Sequence, residues 1–179
     1  MQRNLIPDLI DQLTHLAAHQ STHTARHERA KVVAATQGSY DALFAPSVAG
    51  ISVQERLLVA LLACRLSKSA HLAGHYQERL QAEGAAAQVL AAVGSADIAA
   101  LTDARLQAIL RFTATLIQRP LEGDRQAIAA LQGAGLSTPA IVALGQLIAF
   151  LSYQIRLVSG LQAMAAAEEN AEANAEATT

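Results

Sequence analysis

Two histidines at helical spacing carry the strongest chemical signal in this sequence. His71 and His75 lie four residues apart, so on a helix their imidazoles share one face. Imidazole titrates near neutral pH and can act as a general acid or base. Lys68 precedes the pair and offers an ammonium to a substrate carboxylate. These residues make the stretch a candidate site for chemistry, without identifying the reaction. The alternative is a pair of ordinary helix residues, one packed and one solvated.

The histidines belong to a predicted pair of helices over Ser52–Gln81. The first half, Leu57–Leu66 (LLVALLACRL), is almost wholly apolar, as expected of a helix that is buried on most sides. A polar break at residues 67–69 separates it from the helix that carries the histidines. Ser52 and Glu55 have the spacing of a capping box, which gives Glu55 a structural explanation beside a catalytic one.

The rest of the chain shows helical periodicity and no alternation of period two between turn signals, so the predicted class is all-α. Residues 1–164 are interpreted as a single domain, and residues 165–179 (AAAEENAEANAEATT) as a disordered acidic tail rich in alanine. Outside the central pair, helices are predicted from Pro7 to about His19, from His23 to about Leu43 with a candidate kink or split at Gly38, over Ala85–Val93, from Thr102 or Asp103 to before Pro120, over Glu122–Leu131, and from Ser137 through Val158.

Composition limits the classes of function. The chain has 179 residues and a net charge of −2, which fit one globular domain and give no electrostatic footprint for nucleic acid. It has no Trp, three Phe and three Tyr, which argues against a ligand pocket walled by aromatic rings. No signal peptide is recognisable, and no run reaches the roughly 20 apolar residues of a membrane span. We therefore predict a cytoplasmic protein with neither nucleic-acid nor membrane partners.

Cys64 is the only cysteine of the chain. A single cysteine excludes an intramolecular disulfide and a two-thiol redox cycle within one chain. Its position within an apolar helix predicts a small core residue.

Histidines also recur at intervals of four near the start of the chain: His15, His19, His23 and His27. Steps of four drift by about 40° around a helix, so only neighbouring pairs can share a metal ion. We interpret these histidines as a solvated helix face. An alternative places a metal at His71 and His75. Its third ligand would be Glu55 or Glu78. The prediction is no metal and no cofactor.

The helix pair ERLLVALLACRLSKSAHLAGHY resembles the core of the alkylhydroperoxidase AhpD-like and carboxymuconolactone decarboxylase superfamily. The ending LSTPAIVALGQLIAFLSYQIRLVSGL is similar to the closing helix of its peroxidase-related branch. The likeness covers Gly38 to Met164, which is most of the domain. It implies an all-α fold of about seven or eight helices, assembled as a homo-oligomer.

Redox-active members of that superfamily carry Cys-x-x-Cys-x-x-x-His, with a Glu on the preceding helix. Aligned on its histidine, the motif ends at His75 and places its second cysteine at His71 and its first at Lys68. The glutamate position falls on Arg56, one residue from Glu55. The peroxidase cycle needs an attacking thiolate and a resolving thiol. Neither thiol is present at the site, so the ordinary two-cysteine mechanism is excluded.

Two functions follow from these observations. The first is a divergent protein of this superfamily that lacks the redox cysteine pair and carries out peroxidase-related or acid–base chemistry. In it, His75 and His71 act as acid or base, and Lys68 and Glu55 are further catalytic residues. Arg56 or Lys68 binds a substrate carboxylate. The alternative is a non-catalytic oligomeric scaffold or a small-molecule binding protein on the same fold.

Overall fold

The computed structural model describes residues 8–177, and these form nine α-helices without a β-strand, which confirms the all-α class. Two short 3-10 turns lie at Ile98–Ala100 and Pro120–Glu122. The helices are α1 (Leu9–Thr14), α2 (Ser21–His27), α3 (Ala30–Leu43), α4 (Val53–Leu66), α5 (Ala70–Ala82), α6 (Ala87–Gly94), α7 (Ala104–Gln118), α8 (Arg125–Gly133) and α9 (Thr138–Ala177).

The chain divides into two compact units. The terminal unit comprises residues up to Asp41 and residues from Arg156 onward, and the central unit comprises Ala42–Ile155. The boundaries fall inside α3 and α9. No change of composition marks them in the sequence, where residues 1–164 are interpreted as one domain.

The core of the central unit is built around α4. Its residues from Arg56 to Cys64 are all buried, which is the enclosed helix that the apolar run predicts. α4 packs against α5, α6 and α7. Each fully buried Leu or Ile contributes about 1.5–3 kcal/mol. The neighbouring helices bury Leu72 and Leu80 (α5), Leu106, Ile109 and Leu110 (α7), and Leu144, Leu147 and Leu151 (α9).

Ser52 and Glu55 form the predicted capping box at the start of α4. The Ser52 hydroxyl accepts a hydrogen bond from the Glu55 amide at 3.1 Å, and the Glu55 carboxylate accepts one from the Ser52 amide at 2.7 Å. The box satisfies two amides that a helix start otherwise leaves unpaired. Such a cap stabilises a helix by about 1 kcal/mol.

The first helix is shorter than predicted. α1 ends at Thr14 rather than near His19, because His15 takes φ 54°, the left-handed conformation that closes many helices. Pro7, at the predicted start of this helix, lies outside the described residues.

The helix predicted from His23 to Leu43 is two helices. The two helices are separated by a turn at residues 28–29, in which Glu28 keeps right-handed helical dihedral angles. Gly38 lies within α3, so the helix does not split at this residue. A glycine inside a helix costs only about 1 kcal/mol relative to alanine, and α3 continues through it.

α9 extends into the alanine-rich C-terminal segment. The sequence predicts disorder over residues 165–179, whereas α9 is helical to Ala177. Residues 178–179 lie outside the described residues. Alanine has the highest helix propensity, and Glu168 adds a tertiary contact. Its carboxylate accepts a hydrogen bond from the Ser21 amide at 2.6 Å, and this bond is the main cause that lowers the pKa of Glu168.

Among the described helices, α9 alone is long and apolar enough, by length and composition, to cross a membrane, over Thr138–Ala171. The core helix of a globular protein passes the same test. Leu144, Ile148 and Leu151 of α9 are buried, and their spacing is the predicted packing seam. This seam accounts for the apolar composition of the helix within the central unit.

Candidate functional site

A tight turn between α4 and α5 places Lys68 in an unusual backbone conformation. The amide of Ser69 donates to the carbonyl of Cys64 at 2.9 Å and the amide of Lys68 to the carbonyl of Arg65 at 3.1 Å, the paired bonds of a Schellman cap. Lys68 has φ 57°, where glycine is the usual residue and a side chain costs about 1–2 kcal/mol. The cap accounts for this conformation, which also occurs at His15 and Ala96.

The turn forms part of a small pocket at the junction of α4 and α5. The pocket has a volume of about 120 Å³ and is lined by Cys64, Arg65, Lys68, Ser69, Ala70 and Ala73. Two exposed cationic residues and a buried serine therefore line one small space. The side chains of all three residues can donate hydrogen bonds, and the cations favour an anion.

Arg65 also lines an open cleft formed by residues of α4, α5 and α6. The cleft has a volume of about 490 Å³, and small-molecule sites usually measure about 300–1,000 Å³. The Arg65 guanidinium donates to the side-chain carbonyl of Gln77 at 3.0 Å, which holds it beside both spaces. Sequence reasoning did not single out Arg65, because α6 completes the cleft only in the folded chain. The other lining residues are Gln81, Ala87, Leu90, Ala91, Gly94 and Ser95.

Cys64 lines the small pocket as a protonated thiol. It is fully buried, and burial raises the pKa of the Cys64 thiol to about 12, against a weaker opposing effect of Arg65. The thiolate is the nucleophilic form of cysteine, so at neutral pH almost none of the reactive species is present. The position fits the predicted core residue.

The two histidines lie on another side of α5. At about 100° per residue, their positions are roughly 150° around the helix axis from Ala70 and Ala73, which line the pocket. His71 is exposed and His75 is half-buried. The structure therefore places Lys68 at the pocket and brings neither histidine to it.

His75 is expected to make the protein less stable as the pH falls. Burial, aided by the Arg79 cation, lowers the pKa of His75 from 6.5 to about 4. As the pH falls, His75 therefore takes up its proton in the unfolded chain before it does so in the folded chain. The contribution of His75 to the free energy of unfolding is complete above pH 6.5 and declines as the pH falls from 6.5 to about 4. We expect His75→Gln to flatten this part of a profile of urea midpoint against pH. The matched control on the same helix is His71→Gln, and an unchanged slope in His75→Gln would assign the titration to another group.

Glu55 lies at the opposite end of α4 from the pocket. It is eleven residues before Leu66, which corresponds to about 16 Å along the helix axis. Its carboxylate accepts a hydrogen bond from Arg105 Nε at 2.7 Å, and the Arg105 guanidinium also donates to the carbonyls of Gly50 and Gly135. Together with the capping box, these contacts give Glu55 a structural role.

Arg56 is buried in the core of the central unit, with 1% of its surface exposed. Its guanidinium donates to the carbonyls of Leu43, Ala45 (2.9 Å) and Ser52 (3.2 Å). These bonds tie the loop before α4 to the helix. They account for the charge of Arg56 without a substrate, and a substrate carboxylate has no exposed surface of this side chain to approach.

A buried hydrogen bond sets the orientation of α5 in the central unit. Tyr76 and Gln154 are 0% and 1% exposed, and the Tyr76 hydroxyl donates to the Gln154 side-chain carbonyl at 2.5 Å. The Phe44 ring lies 5.5 Å from the Tyr76 ring, between centroids. Because Tyr76 shares the core face with Leu72, this pair fixes which face of α5 is turned to the pocket.

A metal-like set of three ligand side chains occurs, within residues 8–177, only in the terminal unit, at Asp11, His23 and His27. Sequence reasoning paired the histidines but not Asp11, which comes from another helix. In the described part of the chain, no third His, Cys, Asp or Glu forms such a set with His71 and His75.

Comparison with known proteins identifies the fold. No family model matches the sequence, and no curated protein is detectably similar to it. An uncharacterised peroxidase-related protein from Silicibacter sp. TM1040 has a similar structure, with a TM-score of 0.70 and 18% identity over 76% of this chain and 71% of that one. So has a cysteine-to-alanine variant of the debrominase Bmp8 in complex with 2,3,4-tribromopyrrole, with a TM-score of 0.68 and 13% identity over 90% of this chain and 87% of that one. The chain therefore has the helical fold of these two proteins.

Proposed function

We propose that the protein binds a small organic anion at the α4–α5 junction and that it does so without thiol redox chemistry. The observation that carries this proposal is the placement of Arg65 and Lys68 around one pocket of about 120 Å³ that adjoins the open cleft. Lys68 keeps its predicted role as a carboxylate-binding residue. Arg65 takes the role that the sequence predicted for Arg56.

A carboxylate suits the donors of this pocket. The Arg65 guanidinium can donate two parallel hydrogen bonds to a carboxylate, and the Lys68 ammonium and Ser69 hydroxyl add further donors. The bond from Arg65 to Gln77 limits the freedom that the guanidinium loses when a ligand binds. The rest of the ligand would occupy the cleft, where Leu90 and its alanine neighbours supply apolar surface.

Thiol chemistry is a poor match to this site. A peroxidase step needs a thiolate, and the only cysteine is held as a buried thiol with a pKa of about 12. The name "peroxidase-related" belongs to the Silicibacter protein. The debrominase complex supports a small-molecule ligand for this fold, since that protein is bound to 2,3,4-tribromopyrrole.

Acid–base chemistry at His75 is a second candidate function. With a pKa of about 4, the His75 imidazole is neutral at pH 7 and can accept a proton, although weakly. At that pH the imidazole carries a proton on only one of its two ring nitrogens, and the imidazolium form that a general acid requires is scarce. The role of general acid is therefore disfavoured. Such chemistry would take place on the histidine face of α5, away from the pocket that holds Lys68.

Ligand binding can be tested by comparing a carboxylate with its neutral isostere. We expect benzoate to raise the melting temperature of the full chain and benzamide not to, because a ligand that binds the folded state stabilises it. Arg65→Gln and Lys68→Gln should each weaken benzoate binding by roughly tenfold or more. Arg111→Gln removes an exposed arginine of α7 that lines neither space and is the matched control.

Two results would contradict the proposal. One is benzoate binding of equal strength in wild type, Arg65→Gln and Lys68→Gln. The other is the absence of stabilisation by every member of a series of monocarboxylates from acetate to benzoate, tested to millimolar concentration by calorimetry.

A further inference from the structure

We infer that the terminal unit binds a divalent transition-metal ion at Asp11, His23 and His27. One ligand atom from each of these side chains lies within 4.8 Å of the others. Two imidazoles and one carboxylate form a ligand set that zinc and similar divalent ions favour. The site shares no residue with the pocket at the α4–α5 junction, and neither proposal depends on the other.

Two helices supply the ligands. His23 and His27 lie one turn apart on α2, with ring centroids 4.2 Å apart, and Asp11 belongs to α1. The Nε2 atom of His27 lies 2.8 Å from Oδ2 of Asp11. Tetrahedral zinc with bonds of about 2.1 Å places neighbouring ligand atoms about 3.4 Å apart, so the two side chains would move apart by roughly half an ångström to admit the ion. An ion at this position would join α1 to α2.

Arg26 holds the carboxylate in a ligating orientation. Its guanidinium donates to Oδ1 of Asp11 at 2.7 Å and to Oδ1 of Asp8 at 2.8 Å, which leaves Oδ2 of Asp11 beside His27. Metal-binding carboxylates are commonly fixed by such outer contacts. Two carboxylates and one guanidinium leave one negative charge in excess when both imidazoles are neutral, so a divalent cation is favoured electrostatically.

The hydrogen bonds of this cluster show where an ion would enter. Nε2 of His27 lies 2.8 Å from Oδ2 of Asp11 and 3.3 Å from Nη1 of Arg26. Because Nη1 of Arg26 already has an acceptor in Oδ1 of Asp11, Nε2 of His27 is free to donate its proton to Oδ2 in the metal-free protein. An ion bound between His27 and Asp11 would take the place of this proton. Oδ2 of Asp8 is buried and accepts no hydrogen bond from the described residues.

The test uses the full chain without an affinity tag, stripped of metal by a chelator and titrated with zinc alone. We expect one zinc ion per chain by calorimetry, with weaker affinity at lower pH because protons compete for the imidazoles. His23→Gln and His27→Gln should each weaken binding by more than about tenfold. His19→Gln and His71→Gln should retain it. No zinc binding at micromolar concentration, or equal binding in His27→Gln, would overturn the inference.

Cobalt(II) gives a readout that does not depend on the ligand variants. In a His71→Gln background, which removes the other helical histidine pair, cobalt should give visible bands of protein coordination that zinc displaces one for one. Circular dichroism checks the helix content of each ligand variant. If a ligand variant is unfolded, the test rests on the His71→Gln protein alone. Cobalt bands that zinc displaces from this protein support the metal site, and a spectrum identical to that of aqueous cobalt overturns it.

Discussion

Cys64 is expected to react with iodoacetamide about a thousandfold more slowly in the folded protein than in the unfolded chain at neutral pH. Burial raises its pKa from 9.0 to about 12, and three pH units lower the thiolate fraction by about that factor. Burial also denies the reagent access to the sulfur. Mass spectrometry of the alkylated protein over time, with and without urea, measures both rates.

An exposed thiol in the same turn provides the control for Cys64. Ser67 is exposed at the end of α4, so Ser67→Cys in a Cys64→Ser background reports the reactivity of an accessible cysteine at the junction. We expect this thiol to be alkylated at close to the rate of the unfolded chain. If Cys64 in the native protein reacts as fast as this control, the buried, protonated state is incorrect and a thiol function returns to consideration.

Replacing Arg56 with alanine is expected to destabilise the protein by about 3–5 kcal/mol. The change removes hydrogen bonds to three backbone carbonyls and leaves a cavity where a nearly fully buried side chain stood. Unsatisfied groups cost about 1–3 kcal/mol each when they are buried, and the lost packing of the aliphatic stem adds to this. Urea denaturation gives the free energy of unfolding.

Two variants make the Arg56 prediction specific. Arg56→Lys should recover only part of the loss, because an ammonium cannot reach three carbonyls with the geometry of a guanidinium. Arg111→Ala, at an exposed arginine of α7, should stay within about 0.5 kcal/mol of wild type. If Arg56→Ala leaves the free energy of unfolding almost unchanged but abolishes ligand binding, the substrate-binding role that the sequence predicted for Arg56 is restored.

The central helix pair could be predicted because its signals are local. The apolar run before Cys64 identifies a helix without a solvent face, Ser52 and Glu55 mark its start, and the polar residues 67–69 mark its end. Each signal acts within one or two helical turns, so tertiary packing does not override it. The all-α class follows from the same local periodicity.

The helix limits near both ends of the chain could not be predicted in this way. α1 ends where His15 adopts a left-handed conformation, which residues other than glycine adopt only occasionally. α9 continues into a segment whose composition is typical of disorder, and there Glu168 accepts hydrogen bonds from the start of α2. Glu168 and the start of α2 are more than a hundred residues apart in the sequence. A contact of this kind produces no local pattern from which the end of a helix could be predicted.

The observed site differs from the predicted one because the spacing of residues in the sequence does not show which neighbouring helices each side chain will meet in the folded chain. Alignment to a sequence motif grouped Lys68, His71 and His75, but the helical phase of α5 turns the two histidines away from the pocket that Lys68 lines. Arg65 and Asp11 acquire their neighbours from other helices and carry no local signal. The homo-oligomeric state and the cytoplasmic location stay predictions.

The most direct test of thiol-independent function is hydroperoxide consumption with a dithiol reductant. Wild type, Cys64→Ser and His75→Ala are compared with the reductant alone. Since Cys64 is buried with a pKa of about 12, we expect no turnover above that background in any of the three proteins. Turnover in wild type that is lost in Cys64→Ser would contradict the account and identify a one-cysteine peroxidase.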